Sequence, residues 1–300
     1  MKKIIKVISV SVMIWLIICA ENTTLKIGYN SFSRVLGLFA GAFFPSLINS
    51  FLDLFDTREW KSSQTKLRRA GIIKKDTLIR ISFAYLFRIK IDGKYFLVQN
   101  KRTTKYQPVG GAYKFNKLEA DYLRKHFSIE NDDCIPVDRL TELDYRLLVK
   151  NSDLRKFVRR FNKTNNRENV FDLSREFKEE LFSTNILNEH EFGNLAYNYC
   201  GRHITEIKYG NVFKHFELLL ADIVELDLNE SQKEIFRQLM NKDTEKFVFA
   251  TAEEISSCGV CVGTDNLKDN IADHSLKIMT SESDSLIDRN RYNKPFVVKL

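Results

Sequence analysis

The chain has 300 residues, enough for one large domain or two smaller ones, and its 44% hydrophobic and 29% charged residues allow a substantial core. The formal net charge of +8 favours an acidic partner, namely a nucleotide, a nucleic acid or an anionic lipid. No compact block of Lys and Arg with interleaved aromatic residues is present, so no face for duplex nucleic acid is predicted. The five cysteines are scattered and odd in number, which indicates reduced thiols rather than a disulfide framework.

Two apolar runs occupy the N-terminal part of the chain, at residues 4–20 and 35–54. Each is close to the lower length limit of a membrane-spanning helix, and we expect a two-helix transmembrane hairpin within residues 1–57. A cleaved signal peptide over residues 1–20 is the alternative. Lys and Arg precede the first run and follow the second, so a hairpin is expected to leave both termini and the C-terminal domain in the cytoplasm.

Residues 58–76 are basic and partly helical, and we expect them to form a juxtamembrane neck near anionic headgroups. An apolar strand pattern then begins at Leu78, Asp92-Gly93 predicts a hairpin turn, and residues 95–98 form the returning strand. Basic residues and the sequence Tyr-Gln-Pro-Val-Gly-Gly (106–111) follow directly. From the residues alone, this segment is a solvated strand end and an ordinary turn.

An acidic amphipathic helix is predicted over residues 170–181. Its apolar stripe comprises Val170, Leu173, Phe177 and Leu181, and its acidic face comprises Asp172, Glu176, Glu179 and Glu180. Like charges at these spacings repel one another. Either water hydrates this face, helped by Arg175 and Lys178, or a divalent cation held by carboxylate oxygens offsets the repulsion. Spacing alone leaves both interpretations open.

The sequence Arg-Glu-Phe-Lys-Glu-Glu (175–180) resembles REUxEE, the core of the Nudix box, whose glutamates bind Mg²⁺ against a diphosphate-containing nucleotide. Residues 108–111 are similar to the turn that precedes the metal-binding helix in that family. The resemblance implies Glu176, Glu179 and Glu180 as metal ligands, with Glu179 and Glu180 catalytic if the box is active. It implies a ligand-binding set of Lys101, Arg102, Lys105, Gly110, Gly111 and Arg175. Two flanks depart from the box. Phe182 and Ser183 replace a Gly and an aliphatic residue, and Arg167 stands where a Glu is expected, with Glu168 one position later.

The resemblance implies an α+β fold, with a Nudix-like mixed sheet between helices over residues 77–265. A long insertion, residues 113–168, replaces the usual short link to the box, and it contains a strand-like segment at 144–149 and a basic helix from Asp153. A cap over a ligand larger than a mononucleotide and a passive excursion are both open interpretations. Strands are predicted at 204–209, 212–226 and 246–250, helices at 229–240 and after Thr251, and a last helix with a polar tail over residues 266–300.

The whole chain resembles the membrane-anchored Nudix effectors of CBASS, the cyclic-oligonucleotide anti-phage system of bacteria. The resemblance implies that a cognate CD-NTase makes a cyclic nucleotide, and that the effector binds it, forms a homo-oligomer and disrupts the inner membrane, causing abortive infection. On this interpretation the protein is a two-pass inner-membrane protein that requires neither Mg²⁺ nor catalysis. The alternative is a membrane-tethered, Mg²⁺-dependent Nudix pyrophosphohydrolase, and a structural membrane adaptor is a third interpretation.

Overall fold

The computed structural model describes residues 58–132, 141–259, 270–287, 292 and 294–300. The transmembrane hairpin predicted within residues 1–57 lies outside the described residues. Among the helices that the structure describes, none has the length and apolar character needed to cross a membrane.

Two sheets and seven α-helices make up the described part of the chain. The strands are β1 (Leu78–Arg88), β2 (Lys90–Ile91), β3 (Lys94–Gln99), β4 (Tyr106–Gln107), β5 (Gly110–Ala112), β6 (Ile129–Asn131), β7 (Arg146–Lys150), β8 (Leu195–Ile204), β9 (Lys208–Tyr209), β10 (Phe216–Leu226), β11 (Phe247–Ala250) and β12 (Phe296–Val298). The α-helices are α1 (Arg58–Arg69), α2 (Lys117–His126), α3 (Leu154–Lys163), α4 (Arg175–Phe177), α5 (Glu189–Phe192), α6 (Glu230–Met240) and α7 (Ala252–Ser256). A π-helical segment, Lys178–Phe182, continues α4, and two 3₁₀ segments cover Asp273–Ile278 and Thr280–Ser285.

The larger sheet is mixed and is built around β1 and β10, which run parallel. Its strand order is β12-β8-β10-β1-β7-β6, and β5 pairs with the C-terminal half of β1, on from β7. The smaller sheet has the order β11-β3-β2, with β4 paired to β3. Ile79, Ile81 and Phe83 of β1 are fully buried, as expected for a central strand covered on both faces. The mixed α+β architecture predicted from the sequence is therefore present.

The predicted insertion is part of the main sheet and of the core. β7 pairs antiparallel with residues 78–82 of β1, and β6 pairs with β7. Helix α3 buries Leu154, Phe157 and Phe161 completely, and the Phe161 ring lies 4.7 Å from that of Phe83 in β1. Removing the insertion would therefore expose β1, so it is not a passive excursion.

Several elements differ from the sequence prediction. Strand β8 begins at Leu195, nine residues before the predicted strand, and α2 and β6 were not predicted. The predicted polar tail contains β12, which pairs with residues 195–197 of β8. The three strands among these elements are stabilised by pairing with other strands, which local patterns do not record.

Helix α1 belongs to the folded domain although it lies within the predicted neck. Trp60 is 1% exposed and packs in the main core. The Ser63 hydroxyl accepts a hydrogen bond from the Ile207 amide at 2.9 Å, and the Gln64 side-chain amide donates to the Asn151 side chain at 2.7 Å. The guanidinium of Arg155 in α3 donates to the Lys61 carbonyl and the Thr65 hydroxyl. α1 is thus attached to the domain along much of its length.

We expect Trp60→Ala to lower the free energy of unfolding by about 3–5 kcal/mol, because a large buried aromatic side chain is replaced by a cavity. Thermal unfolding of the full chain measures the change, which corresponds to a loss of roughly 10 °C in Tm. Leu118→Ala is the control, because Leu118 is 68% exposed and its truncation should change stability by less than about 0.5 kcal/mol. A Trp60→Ala variant as stable as this control would mean that α1 does not pack in the core.

Candidate functional site

The helix that carries the glutamates is anchored by its apolar face. Leu173, Phe177 and Leu181 are fully buried, and the Phe177 ring lies 5.6 Å from Phe87 of β1 and 5.2 Å from Phe192 of α5. Burying this stripe leaves the opposite side, with Glu176, Glu179 and Glu180, along a cleft at the end of the main sheet. We call residues 175–182, comprising α4 and its π-helical continuation, the acidic helix.

The acidic helix begins later than predicted. Val170 and Asp172 precede it, and the Leu173 amide donates to the Tyr197 hydroxyl at 2.8 Å instead of to a helical carbonyl. Its second half is π-helical, with the Ser183 amide donating to the Lys178 carbonyl five residues earlier. The predicted acidic face therefore loses Asp172, which is exposed outside the helix. Short π-helical turns of this kind occur frequently at functional sites.

The guanidinium of Arg175 binds groups from three segments. It donates to both carboxylate oxygens of Glu168, at 2.6 and 3.1 Å, and to Glu176 Oε1 at 2.6 Å. It also donates to the Ala112 carbonyl of β5 at 2.8 Å, and Glu179 Oε2 lies 3.5 Å away. Burial alone would lower the pKa of Arg175, but the hydrogen bonds to Glu168 and the negative charge of Glu176 outweigh it and raise the pKa, so the guanidinium remains charged. Arg175 is therefore the internal counter-ion of the acidic helix.

Glu168 is a site residue that the resemblance to the Nudix box did not include. It lies one position later than the glutamate of the Nudix box, yet it forms the two-oxygen contact with Arg175 described above. Its backbone amide donates to the Lys114 carbonyl, and its carboxylate accepts from the Lys114 amide, each at 2.8 Å. The neighbouring Arg167 turns away, with its guanidinium 3.9 Å from the Phe161 ring centre. Fixing the backbone at Lys114 thus compensates for the offset of one residue.

The two consecutive glycines are required by close packing against the acidic helix and β1. Gly110 has φ +143°, where side chains are strained, and a Cβ there would collide with the Tyr85 carbonyl. A Cβ at Gly111 would collide with the carboxylate of Glu176. The resemblance implied that both glycines belong to the ligand-binding set. In the structure they admit a carboxylate, and the Gly110 amide donates to Glu180 Oε2 at 2.9 Å.

Two of the three glutamates have raised pKa values. Burial, reinforced by the negative charge of Glu176, raises the pKa of Glu180 to about 8, even though the Gly110 amide favours the carboxylate. Burial also raises the pKa of Glu176, and the adjacent Arg175 opposes that shift. Glu179 is more exposed, with 42% of its side chain accessible. At neutral pH the Glu180 site therefore favours a proton or another cation.

The acidic helix forms one wall of a cleft of about 490 Å³, within the range of small-molecule sites. Lys101 and Arg102, from the loop after β3, lie on its rim together with Lys246, whose ammonium donates to the Thr184 carbonyl at 3.0 Å. The charged residues that line the cleft are Lys101, Arg102, Arg146, Arg175, Lys246, Asp144, Glu176, Glu179 and Glu180. Lys105 is not among the lining residues. The structure thus brings together all the predicted site residues except Lys105.

Residues of the insertion also line the cleft, and the sequence did not identify them as site residues. Thr141, Asp144 and Arg146 line the cleft, and Arg146 lies 3.4 Å from the Asp144 carboxylate. The Lys114 ammonium lies 3.2 Å from the other oxygen of Asp144. The same three residues also border a second cavity, of about 770 Å³, beside α2 and β6. The insertion therefore shapes the cleft, as the cap interpretation requires, while it also completes the sheet.

The glutamates have suitable chemistry for Mg²⁺, which prefers carboxylate oxygens. In the described part of the chain, however, no three His, Cys, Asp or Glu side chains are arranged to hold a metal ion. Arg175 contacts Glu176, and the Gly110 amide contacts Glu180, so the carboxylates face protein donors rather than a common point. As arranged, the glutamates do not form a ready site for a metal.

The mixed sheet, the glutamate-bearing helix packed under it and the paired glycines are features of a Nudix domain. The family model for the SMODS-associated NUDIX domain matches residues 78–279, so the chain belongs to that family. The match covers the cleft and the acidic helix, and it begins after α1. Comparisons with curated proteins and with solved structures found no match.

We expect Glu168→Ala to lower the free energy of unfolding by about 1.5–3 kcal/mol, because it removes two charge-assisted hydrogen bonds to half-buried Arg175. Denaturant unfolding measures the loss. Glu189→Ala is the matched control, since Glu189 is 47% exposed and makes a single 3.4 Å contact with Lys178. Equal stabilities of the two variants would contradict the role assigned to Glu168.

Glu180→Gln should stabilise the protein at pH 7 by about 1–3 kcal/mol in EDTA, because folding then no longer buries this carboxylate. The wild-type group titrates near its ordinary value of 4.5 when unfolded and near 8 when folded. The folded state therefore binds the extra proton, and wild-type stability falls as the pH rises from 4.5 to 8. The advantage of the variant should grow over that interval and be absent below it.

Unfolding curves between pH 4 and 9 measure this difference, with Glu189→Gln controlling for the loss of one negative charge. A Glu180→Gln variant that is less stable than wild type at pH 7 would contradict the assignment. Repeating the curves with Mg²⁺ in place of EDTA tests for a cation at this position: we expect no change, and a gain in stability by the wild type alone would show that Glu180 helps to bind one.

Proposed function

We propose that the protein is a CBASS effector that binds a cyclic nucleotide in the cleft of its Nudix-like domain. In this proposal a cognate CD-NTase makes the messenger, and binding drives the effector to oligomerise and disrupt the bacterial inner membrane. The result is abortive infection. Membership of the SMODS-associated NUDIX family supports the CBASS context.

The observation that carries the proposal is the division of charge in the cleft. The glutamates of the acidic helix already have protein partners in Arg175 and the Gly110 amide. Cationic side chains, namely Lys101, Arg102 and Lys246, lie on the rim instead. Because the carboxylates already have protein partners, no metal ion is needed to offset their repulsion of an anionic ligand. Such a ligand can therefore bind to the cations at the rim.

A cyclic nucleotide matches this charge distribution. Each phosphodiester carries one negative charge, which suits the rim cations, and the ring has no exposed diphosphate of the kind that a Nudix reaction attacks. Arg146 from the insertion also lines the cleft and offers a further guanidinium for a second phosphate. A ligand larger than a mononucleotide would use both.

Membrane attachment and oligomerisation belong to the same proposal. They are supported by the apolar runs at residues 4–20 and 35–54, which precede the described domain. Two short membrane segments per chain would span or disturb the bilayer more strongly when several copies associate.

A thermal-shift screen of the full chain against cyclic di- and trinucleotides, with Mg²⁺ or with EDTA, tests the proposal. A ligand present at a hundred times its Kd should add about 2.7 kcal/mol to the free energy of unfolding. We expect this stabilisation in EDTA as well as in Mg²⁺. Lys101→Glu should weaken binding at least tenfold, because it places a negative charge on the rim.

Lys94→Glu is the matched control, since Lys94 is exposed at the hairpin turn between β2 and β3 and does not line the cleft. Absence of a shift with every cyclic nucleotide would remove the sensor function. An equal loss of binding in the two variants would show that overall charge, rather than the rim, governs affinity.

The second candidate is a Mg²⁺-dependent pyrophosphohydrolase, favoured by the retention of Glu176, Glu179 and Glu180 along the cleft. It requires Arg175 to release Glu176 so that the carboxylates can reorient around a metal ion. Turnover of a nucleoside-diphosphate substrate by the full chain, lost in both Glu179→Gln and Glu180→Gln, would establish the enzyme and displace the sensor.

A further inference from the structure

A second group of cationic residues, none of which lines the cleft, forms a strongly basic surface on the domain. Seven exposed cationic side chains from three segments form it: Lys66, Arg68, Arg69, Lys74, Lys75, Lys156 and Arg159. Within residues 66–76 and 152–159, the acidic residues are Asp76 and Asp153 alone. Among the described residues, none of the seven takes part in a salt bridge. We call this surface the basic face.

Hydrogen bonds hold the three segments of the basic face together. Arg155 of α3 donates to α1, and its pKa is lowered by burial and by the nearby charge of Arg68. The Asn151 side chain donates to the Lys74 carbonyl at 2.7 Å, and the Ser152 amide donates to the Lys75 carbonyl at 2.9 Å. The cations are therefore presented on a fixed surface and not on a flexible tail. Keeping like charges close together has an electrostatic cost that a bound anion would offset.

A large apolar side chain projects from the same face. Ile72 is 57% exposed, in the turn after α1, whereas the adjacent Ile73 is 2% exposed and packs inward. Arg68 and Arg69 precede it and Lys74 and Lys75 follow it. A single exposed Ile is ordinary on a protein surface. An exposed Ile inside a cluster of unpaired cations matches a bilayer interface, which offers phosphate groups and apolar chains within a few ångströms of each other.

We propose that the basic face docks on anionic phospholipid headgroups, with Ile72 entering the bilayer interface. Charge complementarity favours an anionic surface. The apolar run that precedes α1 in the sequence favours a membrane over other polyanions. Helix α1 begins at Arg58, four residues after the apolar run ends at Leu54, and it is about 18 Å long. A domain tethered this closely would meet the headgroups of any bilayer that the apolar run enters.

The docked state goes beyond nucleotide sensing, since it fixes how the domain is oriented on the membrane. Because α1 is hydrogen-bonded to Asn151 and Ile207 and buries Trp60, docking of the basic face would hold the whole domain in one orientation. Two domains held in the same orientation lose less rotational freedom when they associate.

Site-specific photocrosslinking of the full chain in vesicles tests the proposal. Ile72→p-benzoylphenylalanine should give a lipid adduct in phosphatidylcholine vesicles that contain about 30 mol% phosphatidylglycerol. Mass spectrometry detects the adduct. The adduct should fall at least fivefold in vesicles of phosphatidylcholine alone. Val297→p-benzoylphenylalanine is the positional control, because Val297 is 63% exposed on the opposite edge strand of the main sheet.

A pair of charge reversals completes the experiment. Lys74→Glu/Lys75→Glu in the Ile72 variant should reduce the adduct severalfold, whereas Lys94→Glu/Lys242→Glu makes the same change of net charge at exposed positions elsewhere and should not. All four positions are exposed, so unchanged Tm values confirm that the variants fold.

Equal adducts at positions 72 and 297, no adduct at 72, or an adduct insensitive to lipid charge would each overturn the proposal. Loss of the adduct on adding duplex DNA at equimolar concentration would assign the face to nucleic acid instead. The nucleotide thermal shift is read separately, so either proposal can fail alone.

Discussion

The Arg175 guanidinium is the interaction on which the cleft depends. Its hydrogen bonds reach Glu168 at the end of the insertion, the Ala112 carbonyl of β5 and Glu176 on its own helix. Without this cation, Glu168, Glu176 and Glu179 would face one another across a half-buried space, where like charges repel strongly. Arg175 thereby makes the carboxylate cluster compatible with folding in the absence of any other cation. It also fixes the position of the acidic helix relative to the edge of β1 where β5 pairs.

Packing and hydrogen bonds with β1 and β10 explain why the insertion cannot be separated from the domain. Its aromatic side chains pack on β1 and on one another: the Phe161 ring lies 4.7 Å from Phe83 of β1 and 4.9 Å from Tyr145 of the insertion. Tyr113, at the start of the insertion, donates to Asp222 of β10, which also binds Arg202 through both carboxylate oxygens. Burial is offset at Asp222 by that arginine, and its pKa is lowered. A buried ion pair of this kind is satisfied only while both strands and the insertion are in place.

The features that the sequence predicted well are those stabilised within a few residues. The Asp92-Gly93 turn is present, with φ of 48° and 85°, and a positive φ at both positions is what a type I′ hairpin turn requires. Asn229 and Thr251 cap their helices by bonding to residues three positions later, and both boxes could be read directly from the sequence. The acidic helix was predicted too long because its start is set by Tyr197, which lies 24 residues away. Glu168, Asp144 and Arg146 were missed as site residues for the same reason: each is placed by backbone pairing with a residue distant in sequence, which is Lys114 for Glu168 and Asp144 and Ser82 of β1 for Arg146.

Strand β7 connects the two surfaces that the proposals concern. Arg146, at its first residue, lines the cleft, and Asn151, just beyond its last residue, binds Gln64 of α1 and the Lys74 carbonyl. The strand is five residues long and is paired on both sides, with β1 and β6. In the proposed function, a ligand that contacts Arg146 would therefore act on a strand whose other end contacts α1 and the Lys74 segment of the basic face. Coupling between the cleft and the proposed docking surface would then pass through this strand and would need no flexible linker.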